Sequence, residues 1–137
     1  MSGLSLTRSL TFRATHRMAW PEWSDEENAK RFGWTSREHG HDYTLSVTVG
    51  GTMGPQGLLV DLGQLDTLLE SIVAPLRGSS LNDTVEPVAA GRALPSCEAV
   101  AAWLYGRIAP ELPGGARLER VRVAEDPSLH ADCTGPA

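Results

Sequence analysis

The chain has 137 residues, 41% of them hydrophobic and 21% charged, which is the composition of a water-soluble globular protein. Its formal net charge of -5 gives no support to binding of nucleic acids or acidic membranes. Because two cysteines do not make a disulfide framework and neither a membrane-length apolar run nor a signal-peptide pattern is present, we expect one cytoplasmic domain over residues 1–137.

The first predicted element is a strand whose buried face ends in a histidine. Even positions from Leu4 to Ala14 are apolar apart from Arg8, whereas the odd positions are Ser, Thr or Arg. This period of two is typical of a strand with one face in the core. The next even position is His16.

The second predicted strand begins with two histidines. From Tyr43 to Val49 the odd positions are apolar and the even ones are Thr or Ser, and the same face holds His41 and His39 further back. If the two strands pair antiparallel, as neighbours in sequence often do, the end of the first lies beside the start of the second. His16, His39 and His41 then converge at one end of one sheet face.

Three converging imidazoles predict a zinc site. Neutral imidazole nitrogen suits zinc, and three protein ligands leave a fourth position for water or substrate. Water bound there becomes acidic near neutral pH, and a bound carbonyl or hydroxyl is polarised. A single histidine that ends an apolar stripe is usually a hydrogen-bonded core residue, but the His-x-His pair with a third histidine favours a metal. We therefore expect Zn²⁺ on His16, His39 and His41.

A long connection, Arg17 to Glu38, separates these strands. Ser24 and Glu27 have the spacing of a capping box, which predicts a short helix through Arg31. Three of the four tryptophans also lie in this connection, namely Trp20, Trp23 and Trp34. They either pack the connection onto the sheet or into a subunit interface, or they form a wall for a planar substrate near the metal cluster.

The remaining residues are predicted to form two helices and then two strands. The first helix is capped by Asp61 and has apolar residues three and four apart up to Leu76, and residues 77–94 are predicted to be irregular. The second helix follows Ser96, with a predicted buried side made of Val100, Trp103, Leu104 and Ile108. The strands run from Arg117 to Glu125 and through Leu129, Ala131 and Cys133.

Glu125 ends the apolar stripe of Val121 and Val123. Carboxylates are rarely buried unless they are paired or used, so Glu125 is either a substrate anchor or an exposed residue at a strand end. The element order predicts an α+β domain, a four-stranded antiparallel sheet with two helices on one face. Such a core is thin, and we expect the protein to form a homo-oligomer.

Several segments resemble the 6-pyruvoyl-tetrahydropterin synthase and 6-carboxy-tetrahydropterin synthase family. The segments are Phe12 to His16, Glu27-Asn28, Phe32-Gly33, His39 to Tyr43, Gly57 to Asp61, Pro75-Leu76, Leu81-Asn82 and Val123 to Glu125. The resemblance implies a T-fold, in which the sheets of a trimer or homohexamer form a barrel with active sites between subunits. It also implies zinc on the three histidines and a pterin ring held by Glu125.

The chain departs from the family pattern at its acid and base groups. The family's cysteine, four residues before the His-Gly-His motif, is Thr35 here, and the family's Asp-His pair is replaced by Arg77-Gly78. A Thr hydroxyl has too high a pKa to replace a thiolate without a neighbouring base. The Thr that precedes a helix Glu in the family is Cys97, whereas Glu98 is retained for substrate binding.

Two charged residues are candidate substitutes. Glu38 is a candidate base beside His39, although strand alternation points it to the other face. Arg77 is a candidate anchor for an anionic substrate group such as a carboxylate or phosphate. Alternatively, each of these two residues is an ordinary charged side chain on the solvated surface with no role in the site.

Three functions are consistent with these residues. The first is a divergent zinc-dependent lyase or cyclase that acts on a small carbonyl- or hydroxyl-bearing substrate, outside the standard pterin reaction. The second is a 6-pyruvoyl- or 6-carboxy-tetrahydropterin synthase with relocated acid and base groups. The third is a non-catalytic small-molecule-binding protein that keeps zinc for its structure. All three exclude nucleic-acid and membrane partners.

Overall fold

The computed structural model describes residues 3–136 and shows one four-stranded antiparallel sheet in the order β1-β2-β3-β4. The strands are β1 (Ser5–His16), β2 (His39–Gly50), β3 (Arg117–Asp126) and β4 (Leu129–Cys133). The helices are α1 (Asp25–Phe32), α2 (Leu62–Val73), α3 (Leu81–Thr84), α4 (Glu86–Ala89) and α5 (Cys97–Ile108). Short 3-10 turns cover Gly33–Ser36, Ala74–Leu76 and Ala109–Glu111. This arrangement confirms the α+β prediction.

The core lies between one face of the sheet and the helices α2 and α5. Its fully buried large side chains come from alternate strand positions and from the inner helix faces, and they include Phe12, Tyr43, Leu45, Val47, Leu65, Leu69 and Leu104. The opposite sheet face is polar, and hydroxyl groups pair across β1 and β2 at 2.8 Å, Thr7 with Thr48 and Ser9 with Ser46. The period-two patterns therefore identified the buried face correctly. No helix within residues 3–136 is long and apolar enough to cross a membrane.

The pairing of β1 with β2 is continuous over both strands. Its register places Ala14 opposite His41 and His16 opposite His39. Because side chains of paired residues lie on the same face of a sheet, this register brings the three imidazoles together at one end of the buried face. The sequence prediction of their convergence is confirmed.

Three details differ from the sequence predictions. Residues 77–94 contain the one-turn helices α3 and α4, because Leu81, Val85 and Val88 are spaced by four and three residues and are buried against the core. Trp103 is only half-buried, and the guanidinium of Arg107 lies over its ring. At the start of β1, Leu4 and Leu6 are exposed.

Asn28 orders the connection between β1 and β2. Its side chain is 2% exposed, its Oδ1 accepts the Trp20 N–H at 2.8 Å, and its Nδ2 donates to the Trp20 carbonyl at 3.1 Å. Ser24 caps α1 by accepting the Glu27 N–H, as the capping box predicts. These bonds tie the first part of the connection to α1.

Replacing Asn28 with Ala should lower the free energy of unfolding by about 1–3 kcal/mol, since both backbone groups of Trp20 lose a buried partner. Urea denaturation followed by circular dichroism measures the change. Asn82→Ala is a matched control because Asn82 makes the same pair of bonds, to Arg17, at 2.9 and 3.0 Å in a half-buried position. If the free energy of unfolding fell equally in the two variants, burial of Asn28 would not add to the cost of losing its hydrogen bonds.

Candidate metal centre and substrate cleft

The end of β1 and the start of β2 hold His16, His39 and His41 in one cluster. One ring nitrogen from each residue lies within 4.8 Å of the corresponding atoms of the other two. The His16 ring meets the other two rings edge-on, with centroids 4.6 Å from His39 and 5.1 Å from His41. His16 is 3% exposed, and the other two are half-buried. Such a cluster can hold a metal ion.

Backbone carbonyls orient two of the imidazoles. The Nδ1 of His16 is 2.9 Å from the carbonyl oxygen of Pro95, and the Nδ1 of His39 is 2.7 Å from that of Arg37. Because a carbonyl only accepts, each Nδ1 donates its N–H to the carbonyl, and the Nε2 of the neutral ring is then the nitrogen available to a metal. The contact between His16 and the Pro95 carbonyl depends on the position of the segment just before α5.

The donor atoms fit a zinc ion. The Nε2 atoms of His16 and His41 are buried without a hydrogen-bond partner, and buried acceptors of this kind are costly unless a cation or donor faces them. The pKa of His16 is lowered, chiefly by burial and further by the neighbouring imidazoles, so its ring is neutral near pH 7. Neutral nitrogen ligands in a group of three match the donor set of zinc.

Glu125 faces the same point from the end of β3. Its Oε2 lies 3.0 Å from the Nε2 of His41 and 3.5 Å from that of His16, and its side chain is 15% exposed. The pair with His41 does not have hydrogen-bond geometry, since that nitrogen stays unpartnered. A carboxylate and imidazole lone pairs repel each other unless a cation or a proton lies between them. Glu125 therefore belongs to the site.

A cleft of about 470 Å³ opens over this cluster. Its lining consists of His16, Met18, Trp34, Thr35, His39, His41, Ser96, Cys97, Glu98, Glu125, Asp126 and Leu129. The indole of Trp34 is edge-on to the His39 ring, with centroids 4.7 Å apart, and Trp34 is 67% exposed. The cleft thus combines a candidate metal centre, a carboxylate floor and one aromatic wall.

The structure brings some of the predicted site residues into the cleft and leaves others outside. Thr35 and Glu98 line it, and the Thr35 hydroxyl donates to the Phe32 carbonyl at 2.6 Å. Glu38 does not line the cleft, and its carboxylate accepts the Thr15 hydroxyl at 3.1 Å, as strand alternation predicts. Of the three tryptophans in the connection, Trp34 alone is part of the lining.

Arg77 also lies outside the cleft of its own chain. Its guanidinium donates twice to the Glu70 carboxylate, at 3.0 and 2.9 Å, and once to the Thr11 carbonyl at 2.8 Å. The interaction with Glu70 lowers the pKa of that carboxyl. These bonds occupy N–H donors of Arg77 that an anchor for an anionic substrate group would need.

A strand irregularity adds a carboxylate that sequence reasoning missed. In β3, the pairing with β4 shifts register between Ala124 and Asp126, so two consecutive residues, Glu125 and Asp126, reach the same cleft. Strict alternation would place them on opposite faces. The Ser128 hydroxyl and backbone N–H donate to Asp126 and lower its pKa, which keeps this group ionised. The period-two pattern contains no signal for the irregularity.

Sequence reasoning did not assign two further groups to the site, namely Cys97, which lines the cleft, and Tyr43, whose ring is edge-on to those of His16 and His41. Burial and the nearby Glu125 carboxylate raise the pKa of Cys97 to about 11, so this group is a thiol at neutral pH. The Tyr43 hydroxyl is buried without a hydrogen-bond partner, and burial raises its pKa as well. Tyr43 could have been found from its position two residues after His41, which puts it on the same strand face.

Residues 5–136 match the family model described as 6-pyruvoyl tetrahydropterin synthase. A 6-pyruvoyl tetrahydrobiopterin synthase from Homo sapiens is 34% identical over 124 residues, 88% of this chain and 83% of the relative. A dihydroneopterin monophosphate aldolase from Pyrococcus furiosus is 27% identical over 115 residues, 84% of this chain and 83% of the relative.

A solved structure shares the fold. The 6-pyruvoyl tetrahydropterin synthase of Caenorhabditis elegans superposes with a TM-score of 0.85, at 24% identity, over 96% of this chain and 95% of the other. The T-fold prediction from the sequence is thereby confirmed.

Removing a histidine ligand should remove the metal. We expect about one zinc ion per chain in the wild-type protein. In His41→Ala the zinc affinity should fall by more than about 100-fold, because losing a residue that only hydrogen-bonds to a metal ligand already costs about 10- to 100-fold, and losing the ligand itself costs more. Elemental mass spectrometry after dialysis measures the metal content. His130→Ala is the matched control, because this fourth histidine is exposed on β4. Zinc loss in the control, or zinc retention in His41→Ala, would contradict this ligand set.

Cys97 should react slowly with alkylating reagents. With a pKa of about 11 its thiolate fraction at pH 8 is on the order of 100-fold below that of an ordinary cysteine, and the thiolate is the reactive form. Mass spectrometry of iodoacetamide-labelled peptides measures the rate, and labelling in urea should restore the ordinary one. Fast labelling of Cys97 in the folded protein would contradict the raised pKa.

Proposed function

The chain belongs to the 6-pyruvoyl tetrahydropterin synthase family, and from this premise we propose that it is a tetrahydropterin synthase-type lyase that acts on a reduced pterin with a hydroxylated side chain. The observation that carries the proposal is the pair of buried, unpartnered Nε2 atoms of His16 and His41 facing Glu125. The second sequence hypothesis, a synthase of the family's own type, has more support from the relatives than the first, a reaction outside pterin chemistry.

Zinc is the proposed metal, held by His16, His39 and His41. When bound, it would polarise a carbonyl or hydroxyl of the substrate side chain and so acidify the neighbouring protons. The protein's own part is to keep the His16 imidazole neutral through burial, and to orient the rings of His16 and His39 through the carbonyls of Pro95 and Arg37.

Glu125 is the proposed anchor for the pterin ring. The amino-pyrimidinone edge of a pterin presents two adjacent N–H donors, and a carboxylate can accept both in a bidentate pair. Glu125 is positioned for this because it is 15% exposed, at the floor of a cleft whose volume suits a bicyclic ligand.

Trp34 and Thr35 are proposed to orient the bound ligand. Trp34 offers an exposed indole as a stacking surface, and an aromatic pair of this kind contributes about 0.5–1.5 kcal/mol beyond burial. The Thr35 hydroxyl donates its hydrogen bond to the Phe32 carbonyl, so its oxygen presents only lone pairs to the cleft. Thr35 therefore accepts a hydrogen bond and does not supply a proton.

Glu98 is the proposed base. It is exposed at the first turn of α5, it lines the cleft, and no ion pair is found for it among residues 3–136. Asp126 is a weaker base because the donors from Ser128 stabilise its charged form. The Cys97 thiol is protonated near neutral pH and does not act as a thiolate.

The protein is further proposed to be a cytoplasmic homo-oligomer, a trimer or a hexamer, with sites completed between subunits. The two edge strands support this assembly, because the outer edge of β4 and that of β1, apart from its last residues bridged to Ser80 through Thr15, pair with no other segment of the described chain. Two cysteines without a disulfide support a reducing compartment.

A second candidate is aldolase-type cleavage of the side chain. The name of the Pyrococcus relative supports it, together with a cleft that offers carboxylates and a protonated thiol. In this reaction the base removes the proton of the hydroxyl on the second side-chain carbon, the bond between the first and second carbons breaks and releases the outer fragment as an aldehyde, and a proton returns to the carbon next to the ring.

Turnover of dihydroneopterin and of dihydroneopterin triphosphate by zinc-loaded protein tests both candidates. Mass spectrometry should reveal a pterin product, with a pyruvoyl side chain for synthase chemistry or a hydroxymethyl group for aldolase chemistry. The rate should fall by about 100-fold or more in His41→Ala and stay unchanged in His130→Ala. Failure of zinc-loaded protein to convert either compound, or equal rates in His41→Ala, would contradict the proposed function.

A further inference from the structure

A short segment of the chain, residues 78–82, lies against the outer edge of β1 beside His16. The N–H of Thr15 donates to the Ser79 carbonyl at 2.9 Å, and Thr15 forms an isolated parallel bridge with Ser80. On its inner edge the same part of β1 is paired with β2. The backbone that leads into His16 is therefore held from both sides.

Asn82 continues this pairing one residue beyond the strand. Its Oδ1 accepts the Arg17 N–H at 2.9 Å, and its Nδ2 donates to the Arg17 carbonyl at 3.0 Å. One side chain thus binds both backbone groups of one residue, as a residue on a neighbouring antiparallel strand does. Because β1 and its pairing with β2 end at His16, the carboxamide holds the backbone at the point where the ladder stops.

The position of Asn82 is set by the core. The preceding residue, Leu81, is 0% exposed among the core side chains and begins the one-turn helix α3. The N–H of Thr84 donates to the Ser80 carbonyl at 3.2 Å and closes this turn. Asn82 itself is half-buried and is not part of the cleft lining. An effect of Asn82 on the site therefore acts through the backbone of Arg17.

The backbone position of His16 sets where its free nitrogen points. The ring is 3% exposed, and its Nδ1 is bound to the Pro95 carbonyl, which belongs to a distant part of the chain. A ring held by one nitrogen pivots about that contact when its Cα moves. Its Nε2 would then leave the point that the other two imidazoles share, and a metal site tolerates only small displacements of its ligands.

We propose that Asn82 is a positioning residue for His16, and that its bonds to Arg17 keep the Nε2 of His16 directed at the zinc position. The inference rests on the zinc centre of the proposed function and extends it beyond the three ligands. Residues that hydrogen-bond directly to a metal ligand contribute about 10- to 100-fold to metal affinity. Asn82 acts on the adjoining backbone, so we expect its contribution to lie near the lower end of this range.

Competition with a chromophoric zinc chelator measures this contribution. Zinc affinity should be about ten-fold lower in Asn82→Ala than in the wild-type protein. Asn28→Ala is the matched control, because Asn28 makes the same pair of bonds, at 2.8 and 3.1 Å, to Trp20, which is not adjacent to a metal ligand. Its zinc affinity should stay unchanged although the fold loses more stability. Unchanged affinity in Asn82→Ala, or equal losses of affinity in both variants, would overturn the inference.

Cobalt(II) in place of zinc reports the geometry of the ligands, because its visible spectrum depends on the arrangement of its donor atoms. The spectrum of Asn82→Ala should differ from that of the wild-type protein, whereas the spectrum of Asn28→Ala should match it. In Asn82→Asp the carboxylate accepts the Arg17 N–H but cannot donate to the Arg17 carbonyl, so this variant should not restore zinc affinity. Wild-type affinity and spectrum in Asn82→Asp would overturn the role of the paired bonds.

The outcomes separate this inference from the proposed function. If the wild-type protein bound no zinc, the proposed metal centre and the inference would both fail. If zinc bound through the three histidines but Asn82→Ala kept full affinity, only the inference would fail. Zinc binding that depends on Asn82, without turnover of either pterin, would support the inference and count against the proposed function.

Discussion

The antiparallel register between β1 and β2 is the constraint on which the site depends. This register pairs His16 with His39 and Ala14 with His41, and it therefore puts three imidazoles at one end of the buried face. A slip of one residue would turn His39 and His41 to the polar face and break the cluster. The same hydrogen-bonded ladder that aligns Phe12 and Tyr43 in the core thus sets the spacing of the nitrogen atoms. Packing of the core and assembly of the metal centre are consequences of one register.

The acidic character of the cleft comes from an interruption of regular structure. Regular β3 would point Glu125 and Asp126 to opposite faces, but the irregular pairing with β4 directs both to the cleft. The start of α5 then contributes Glu98 from a third direction. Regular pairing of β1 with β2 therefore forms the imidazole cluster, whereas the irregular pairing of β3 with β4 determines which carboxylates line the cleft beside it.

Sequence reasoning succeeded where a short period or a local cap governs the structure. The alternation in β1 and β2 predicted the shared face of the histidines, and Ser24, Asp61 and Ser96 cap their helices as expected. It failed where tertiary contacts decide. The engagement of Arg77 by Glu70 and the strand irregularity beside Asp126 depend on partners distant in sequence or on a local shift that no periodicity encodes.

The contact between His16 and the Pro95 carbonyl has a consequence for how the site can change over evolution. A backbone carbonyl is present whatever side chain occupies its residue, so the orientation of this imidazole does not require a particular amino acid at position 95. The requirement falls on the path of the chain just before α5. Substitutions that preserve this path leave the ligand oriented, whereas an insertion or deletion there would displace it. Selection at this point should therefore act on segment length more strongly than on residue identity.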